Sequence, residues 1–257
     1  MNTLTVYGMT YSPWTYKARW ALAWHRLDYR YKEYVVMLSK PLLRLRLNRW
    51  SEPITAPLAV TNGQILDSAW KIVQWADEHG VGAPLHIDHA DVKAWDQVAD
   101  EFMQLGRFRL THGYASDAQA LKAAVPPLFQ RLPGALALGR MGLRYMKKTY
   151  PLDVQPETVE DQMAERLRAV RAGLKDREHF LSGPSYADIS VACALQMVDP
   201  VDDGVLPLAP EARPHWVSLR LTEEFSDLLQ WRDGIFESLG APRIGEGTVG
   251  SPHRGSE

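Results

Sequence analysis

The chain has 257 residues, of which 46% are hydrophobic and 23% are charged, and its 29 Lys and Arg residues nearly balance 31 Asp and Glu residues. The small net charge of −2 argues against a basic nucleic-acid-binding protein, and the hydrophobic content argues against a disordered chain. The single cysteine, Cys193, has no partner for a disulfide within the chain, which favours a reducing compartment. We therefore expect a globular cytoplasmic protein with one large domain or two smaller ones.

The chain begins with the pattern of a mixed α/β domain. Alternating residues over 4–7 predict a strand, and Ser12-Pro13 predicts the start of a helix that continues to about His25. A second strand is predicted over 29–35 from the alternation of its side chains. Strand, helix and strand together indicate a βαβ unit with a right-handed crossover.

Two more strands and a helix complete this part of the chain. Short strands are predicted on either side of Asn62-Gly63, which is a typical sequence for a two-residue hairpin turn. The apolar residues of 69–76 recur with helical spacing, and Gly80 is predicted to end that helix. The sequence therefore predicts a first domain over 1–82.

From about His89 onwards, the strand patterns disappear and helical spacing dominates. Helices are predicted over three ranges that share this spacing: 92–102, 163–174 and 223–239. Ser185 and Asp188 have the spacing of a capping box, with Asp in place of the usual Glu, at the start of another helix. We expect an all-α domain over 90–240 and a flexible, Gly/Ser-rich tail over 241–257.

No segment has the pattern of a secretory signal or of a transmembrane helix. The longest candidate, 125–150, is interrupted by prolines and basic residues and lacks an apolar run of ~18 residues. In the linker, His86-Ile87-Asp88-His89 could suggest a metal site. Two histidines and one carboxylate in a linker are more typical of a solvated surface, so we expect no metal.

The order of elements, with an irregular segment between the βαβ unit and the hairpin, resembles the glutathione S-transferase superfamily. Four local motifs carry the resemblance in the same order as in the family: Ser12-Pro13-Trp14-Thr15-Tyr16-Lys17-Ala18-Arg19 with its basic residues, Thr55-Ala56-Pro57-Leu58, Asp67-Ser68, and Ser185 with Asp188 after Phe180-Leu181-Ser182-Gly183. It covers most of the chain and implies an α/β thioredoxin-like N-terminal domain followed by an all-α helical C-terminal domain. The helix opening and the Asp-Ser pair look similar to bacterial and fungal etherase-type members, which act on aryl ether bonds.

The resemblance implies that the protein binds glutathione, whose thiolate is the family's nucleophile. A free thiol has a pKa of about 8.5, so a donor aimed at the sulfur from a helix N-terminus favours the reactive form. Ser12 meets this requirement, although an ordinary helix cap would also suit its position. Tyr7, at the end of the first strand, is the alternative donor, and Tyr11 and Thr15 are further candidates. A hydroxyl forms no disulfide, so we do not expect thiol–disulfide exchange at position 12.

Four residues are expected to hold the glutathione peptide: Ala56, Pro57, Asp67 and Ser68. If Pro57 is cis as in the family, the backbone of Ala56 would pair with the cysteinyl part of the ligand. Asp67 and the helix N-terminus at Ser68 would bind the γ-glutamyl group, although ordinary caps would have the same sequence. The cation for the glycyl carboxylate is left open between three residues: Lys40, Arg44 and Arg49.

The sequence departs from the family pattern at two of these motifs. Thr55 stands where a lysine is frequent, Ala56 replaces a common valine, and Asp67 replaces Glu, which shortens the carboxylate arm by one methylene. These departures keep a non-catalytic binding or scaffold protein of the same fold open as an alternative. A glutathione-dependent isomerase or dehalogenase, which would share the glutathione site, is a further alternative.

The second substrate is expected between the two domains, near the basic segment 125–150. Its five cations, with no acidic residue among them, are Arg131, Arg140, Arg144, Lys147 and Lys148. They could form a solvated helix face, contact an anionic second substrate, or contact an acidic membrane surface. The preferred reading is a cytoplasmic, homodimeric glutathione transferase, a detoxification-type enzyme that acts on a hydrophobic or aromatic electrophile without a metal.

Overall fold

The computed structural model describes residues 4–35, 38–51 and 54–248, and its N-terminal part is built on one four-stranded sheet. The strands are β1 (Thr5–Gly8), β2 (Arg30–Glu33), β3 (Leu58–Thr61) and β4 (Gln64–Leu66), in the spatial order β2-β1-β3-β4. β1 pairs parallel with β2 and antiparallel with β3, and β3 pairs antiparallel with β4. Asn62 and Gly63 form the predicted turn, both with positive φ angles, of 45° and 79°. The predicted α/β thioredoxin-like domain is confirmed.

Three helices accompany this sheet: α1 (Pro13–Trp24), α2 (Ser39–Leu47) and α3 (Ala69–His79). Helix α1 is apolar on two sides, since Ala18 and Leu22 pack with the sheet while Tyr16 and Trp20 join the core of the helical part. Helix α2 occupies the segment that was predicted to be irregular. Its only fully buried residue is Leu43, so it has little of the apolar periodicity that identifies a helix from sequence.

The two faces of the sheet have separate cores, because successive side chains of a strand point in opposite directions. Leu4 and Val6 pack with α1 and α3, whereas Tyr7 packs on the other face with Leu43 of α2 and Leu58 of β3. The end of β1, which leads into α1, therefore lies between α1 and α2.

The remainder of the described chain is helical. Its helices are α4 (Ala90–Gly113), α5 (Ala118–Ala123), α6 (Pro127–Gln130), α7 (Ala135–Thr149), α8 (Val159–Leu174), α9 (Tyr186–Ala194), α10 (Arg213–Trp216), α11 (Leu219–Glu224) and α12 (Ser226–Ser238). Three short 3₁₀ turns lie between them, at Tyr114–Ser116, Pro156–Thr158 and Leu195–Met197. The all-α C-terminal part of the predicted fold is confirmed.

The core of the helical part lies between α4, α8 and α9, where Met103, Met163 and Ile189 are inaccessible to solvent. The capping box of α9 is present, since the carboxylate of Asp188 accepts hydrogen bonds from the backbone N–H and the hydroxyl of Ser185, both at 2.8 Å. The single helix predicted over 223–239 is instead split at Phe225, which is fully buried with a φ of −121°.

The segment after residue 240 packs against both parts of the chain. The hydroxyl of Tyr16 donates to the carbonyl of Pro242 at 2.8 Å, and the N–H of Tyr29 donates to the carbonyl of Gly247 at 3.2 Å. The N–H of Ile244 donates to the carbonyl of Gly204 at 2.8 Å. The Gly/Ser content that predicted a flexible tail carries no information on such distant partners, and residues 249–257 of that prediction lie outside the described residues.

Among residues 4–35, 38–51 and 54–248, no helix combines the length and the apolar character needed to cross a membrane. The basic segment 125–150 is divided between α6 and α7, and Gly134 between them has a φ of 96°, which favours glycine. Arg140, Arg144 and Lys148 of α7 are exposed.

Candidate functional site

Ser12 lies at the N-terminus of α1, with a buried side chain that is 5% exposed. Its backbone is extended, with φ −91° and ψ 122°, and its N–H donates to the carbonyl of Met9 at 2.9 Å. The hydroxyl accepts no hydrogen bond from the first turn of the helix, which distinguishes Ser12 from an ordinary cap. The site therefore combines a hydroxyl that makes no cap hydrogen bond with the free N–H groups of a helix N-terminus.

The loop before Ser12 is held in place by side chains of α1 and β2. The N–H of Met9 donates to the hydroxyl of Thr15 at 3.2 Å, and Thr10 donates to both carboxylate oxygens of Glu33. A Cβ on Gly8 would lie 2.2 Å from a methyl carbon of Thr15, so only glycine allows β1 and α1 to approach this closely. Thr15 thus has a structural role, and Tyr11 is 43% exposed, with its hydroxyl donating to the sulfur of Met9.

Tyr7, the alternative donor, lies on β1 with 6% of its surface exposed. Its ring packs in the core beneath α2, together with Leu43 and Ile54, and lies 5.8 Å from the Lys32 ammonium. The ring is therefore on the face of the sheet that points away from α1, while Ser12 is the residue at the helix N-terminus itself.

The peptide bond between Ala56 and Pro57 is cis, as the resemblance implied. Leu58, the next residue, pairs directly with Tyr7 in the antiparallel register of β1 and β3. Because the two strands run in opposite directions, the residues that precede Leu58 lie beside those that follow Tyr7. Ala56 is thus at the same end of the sheet as the loop that carries Ser12.

Asp67 forms the centre of a second charged group at the start of α3. Its carboxylate accepts from both terminal nitrogens of Arg49 at 3.2 Å and from the ammonium of Lys71 at 2.7 Å. These contacts, that with Lys71 first, hold the pKa of Asp67 below its ordinary value although burial opposes the shift. The carboxylate is therefore ionised at neutral pH. Ser68 caps α3, since its hydroxyl accepts from the N–H of Lys71 at 3.2 Å.

The three candidate cations for the glycyl carboxylate are separated by the structure. Arg49 contacts Asp67, whereas Lys40 reaches α7, where its ammonium donates to the hydroxyl of Tyr145 at 3.3 Å. The Nε of Arg44 is buried and has no hydrogen-bond partner within the described part of the chain. The sequence left these three equivalent, and only their contacts distinguish them.

Lys17, a basic residue of the helix-opening motif to which the sequence assigned no role, is a buried cation at the contact between α1 and the helical part. Its side chain is 1% exposed, and its ammonium lies 2.6 Å from carboxylate oxygens of both Asp96 and Asp100. It also donates to the hydroxyl of Ser190 at 3.1 Å. Burial alone would lower the pKa of Lys17, but the two carboxylates raise it above its ordinary value, so the ammonium stays charged.

A pocket of about 210 Å³ lies between α4 and α7, close to the start of α1. Its lining includes Gln104, Arg107, Phe108, His112, Lys147 and Tyr150. The Arg107 guanidinium carbon is 4.9 Å from the ring centre of Trp14, on the first turn of α1, and 4.0 Å from that of Tyr150. Arg107 thus joins the pocket to the helix that begins after Ser12, and the sequence analysis did not identify it.

Residues 6–84 match the family model for the N-terminal domain of glutathione S-transferases. This match identifies residues 6–84 as a domain of the glutathione S-transferase N-terminal type. Comparison with curated protein sequences gives no significant match. The glutathione S-transferase fold extends beyond the matched residues, since solved structures of this family cover almost the whole chain.

Three of these structures illustrate the likeness. A glutathione transferase from Phanerochaete chrysosporium is 11% identical with a TM-score of 0.61, over 94% of this chain and 97% of the other. A glutathione transferase family member from Pseudomonas fluorescens, with bound S-(propanoic acid)-glutathione, is 19% identical with a TM-score of 0.55. The likeness covers 91% of this chain and 95% of the other. A glutathione S-transferase from Methylobacillus flagellatus, with glutathione bound, is 19% identical with a TM-score of 0.53. The likeness covers 91% of this chain and 95% of the other.

The linker histidines and Cys193 are the remaining groups that the sequence offered for metal binding or thiol chemistry. Within residues 4–35, 38–51 and 54–248, which include the His86–His89 segment, no cluster of His, Cys, Asp and Glu side chains could hold a metal ion. Cys193 is buried on α9, and burial raises the pKa of its thiol far above the ordinary value. This thiol is therefore un-ionised and unreactive at neutral pH.

Proposed function

We propose that the protein is a glutathione transferase in which the Ser12 hydroxyl donates a hydrogen bond to the thiolate of bound glutathione. The observation that carries this proposal is the hydroxyl of Ser12, a residue that is 5% exposed at the N-terminus of α1 and that the helix does not use as a side-chain cap. A hydrogen bond to the thiolate and the positive end of the helix dipole both favour the ionised sulfur. The glutathione bound to the solved relatives supports the same ligand here.

The reaction requires no covalent bond to the protein. The thiolate sulfur forms a bond to an electrophilic carbon of the second substrate, and the leaving group departs with the electron pair of the broken bond. Ser12 keeps its proton throughout and stabilises the negative charge on sulfur before the attack. The second substrate is a hydrophobic or aromatic electrophile, and the cytoplasmic homodimer implied by the family resemblance is part of this proposal.

The peptide part of glutathione lies across the end of the sheet and the start of α3. The backbone of Ala56, before the cis bond to Pro57, pairs with the cysteinyl part of the ligand. The carboxylate of Asp67 accepts the γ-glutamyl ammonium, and the N-terminus of α3 at Ser68 attracts the γ-glutamyl carboxylate. Arg49, which also contacts Asp67, and Lys40 are the candidate cations for the glycyl carboxylate.

A calorimetric titration of the protein with glutathione tests this proposal directly. We expect saturable binding with a dissociation constant below about 1 mM. A dissociation constant of about 1 mM corresponds to a binding free energy of about −4 kcal/mol. Oxidised glutathione serves as the comparison ligand, since it has no free thiol for Ser12. An absence of binding at millimolar glutathione would contradict the proposal.

Replacement of Asp67 by asparagine is expected to weaken glutathione binding by about tenfold, because the charge that accepts the ammonium is lost. Turnover at saturating glutathione should change little, since Asp67 does not contact the sulfur in this proposal. The measurement is a pair of titrations and a steady-state assay in which glutathione is varied. Glu78→Gln, an exposed acid-to-amide change near the other end of α3, is the control. If Asp67→Asn and Glu78→Gln bind glutathione with equal affinity, Asp67 does not contact glutathione.

A non-catalytic binding protein is the second candidate function. It is favoured by the state of Asp67, whose carboxylate is already paired with Arg49 and Lys71 and is therefore less available to a ligand ammonium. The glutathione titration and the steady-state assay distinguish the two candidates. Absence of glutathione binding, or glutathione binding without turnover of the aromatic electrophiles assayed, would favour the second candidate.

A further inference from the structure

The pocket between α4 and α7 contains two cations, and their side chains have no acidic partner there. Arg107 and Lys147 line it, and the structure gives neither side chain an ion pair or a hydrogen bond within the described residues. Asp100, also on α4, interacts electrostatically with Arg107, but its carboxylate is held by Lys17 at 2.6 Å. The five N–H donors of the half-buried Arg107 guanidinium therefore have no protein acceptor in the described part of the chain.

Aromatic rings fix the orientation of this guanidinium. Trp14 and Tyr150 lie 4.9 Å and 4.0 Å from its central carbon, measured to the ring centres, and Phe108 lines the same pocket. A guanidinium held by rings keeps its planar N–H fork in one orientation, which suits a carboxylate that accepts two parallel hydrogen bonds. The rings also offer flat apolar surfaces to a planar ligand.

The size of the pocket limits the ligand further. Its volume of about 210 Å³ is below the range of roughly 300–1,000 Å³ that is typical of sites for larger ligands. One aromatic ring with a short acidic side chain fits this limit, whereas a polycyclic ligand does not. An inorganic anion would satisfy Arg107 but would leave the apolar surfaces of Phe108 and Tyr150 uncovered.

We propose that this pocket binds the carboxylate of a single-ring aromatic acid and that Arg107 is the residue that selects it. Helix α1 places Trp14 within one turn of Ser12, so a ligand anchored at Arg107 lies on the Ser12 side of the helical part. The inference rests on the proposed function for one point only: such an acid would be the electrophilic second substrate. The binding of the carboxylate itself requires no glutathione.

The test compares cinnamate with cinnamamide, which has the same shape but no charge, in titrations without glutathione. We expect the parent protein to bind cinnamate at least about tenfold more tightly than the amide, and Arg107→Met to lose this preference. Arg107→Lys, which keeps the charge but not the planar fork, should retain only part of it. Arg144→Met, an exposed position on α7, should retain all of it.

The preference is a ratio measured within one protein, so partial loss of folded material in a variant does not alter it. Equal affinity of the parent protein for cinnamate and cinnamamide would overturn the inference, as would an unchanged preference in Arg107→Met. If the protein binds glutathione but shows no preference for cinnamate over cinnamamide, the proposed function stands and this inference is contradicted. A preference for cinnamate in a protein that does not bind glutathione would support this inference and contradict the proposed function.

Discussion

Replacement of Lys17 by methionine is expected to lower the free energy of unfolding by about 3–5 kcal/mol. The methionine matches the lysine stem in volume, but the buried carboxylate of Asp96 and the partly exposed carboxylate of Asp100 lose the ammonium that lies 2.6 Å from each of them. These two neighbouring carboxylates, of which that of Asp96 is buried, are then left without a counter-charge. The measurement is urea unfolding of the variant and the parent protein at neutral pH.

The pH dependence separates this charge effect from a packing effect. The pKa of Asp100 is already raised by burial and by Asp96, against the influence of Lys17, and it should rise further without the lysine. A carboxyl group with a raised folded-state pKa destabilises the fold when it is ionised. That cost disappears as the pH falls toward about 4, the ordinary pKa in the unfolded chain. The loss in Lys17→Met should therefore shrink on acidification.

Lys93→Met on the exposed side of α4 is the matched control for Lys17→Met. It removes the same charge from the protein and should change the free energy of unfolding by no more than about 0.5 kcal/mol. Similar losses in the two variants, or a loss in Lys17→Met that is independent of pH, would show that the buried charge cluster does not stabilise the contact between α1 and α4.

Replacement of Ser12 by alanine is expected to reduce turnover at least about tenfold while glutathione affinity changes little. A tenfold effect corresponds to one pKa unit of the bound thiol, or about 1.4 kcal/mol. The thiol pKa can be followed by the ultraviolet absorbance of the thiolate in the binary complex, and it should move up toward the value of free glutathione. Stability should be unaffected, because the Ser12 hydroxyl does not cap α1.

Tyr7→Phe provides the comparison for Ser12→Ala, since it also removes a single hydroxyl group. We expect it to leave the thiol pKa of bound glutathione unchanged, because the Tyr7 ring packs on the opposite side of the sheet from α1. An unchanged thiol pKa in Ser12→Ala together with a raised one in Tyr7→Phe would transfer the donor role to Tyr7.

Elements with local signals could be predicted from the sequence. The Asn62-Gly63 turn and the capping box at Ser185 depend on residues within a few positions of each other, and both are present. Helix α2 was missed because it buries only Leu43 and so lacks the apolar periodicity of a packed helix. The break at Phe225 was missed for the opposite reason, since apolar residues continue across it.

The candidate site was predictable only where its chemistry lies in one short motif. Ser12-Pro13 and Asp67-Ser68 could be recognised in this way, whereas Lys17 meets Asp96 across 79 positions and Ser190 across 173. Likewise, the contact of Arg107 with Trp14 exists only because α4 packs beside α1. Which of Lys40, Arg44 and Arg49 approaches Asp67 depends on the path of α2, and the sequence contains no local signal for it.

The hydrogen bonds from Tyr16 and Tyr29 to the segment after residue 240 have a consequence for the order of folding. The Tyr16–Pro242 bond joins residues 226 positions apart, so the N-terminal domain leaves the ribosome long before its partner segment is made. Until then, the N–H of Tyr29 at the β2 side of the sheet has no chain partner and must be solvated. The N-terminal domain therefore reaches its final stability only in the complete fold, and the two parts should unfold as one cooperative unit.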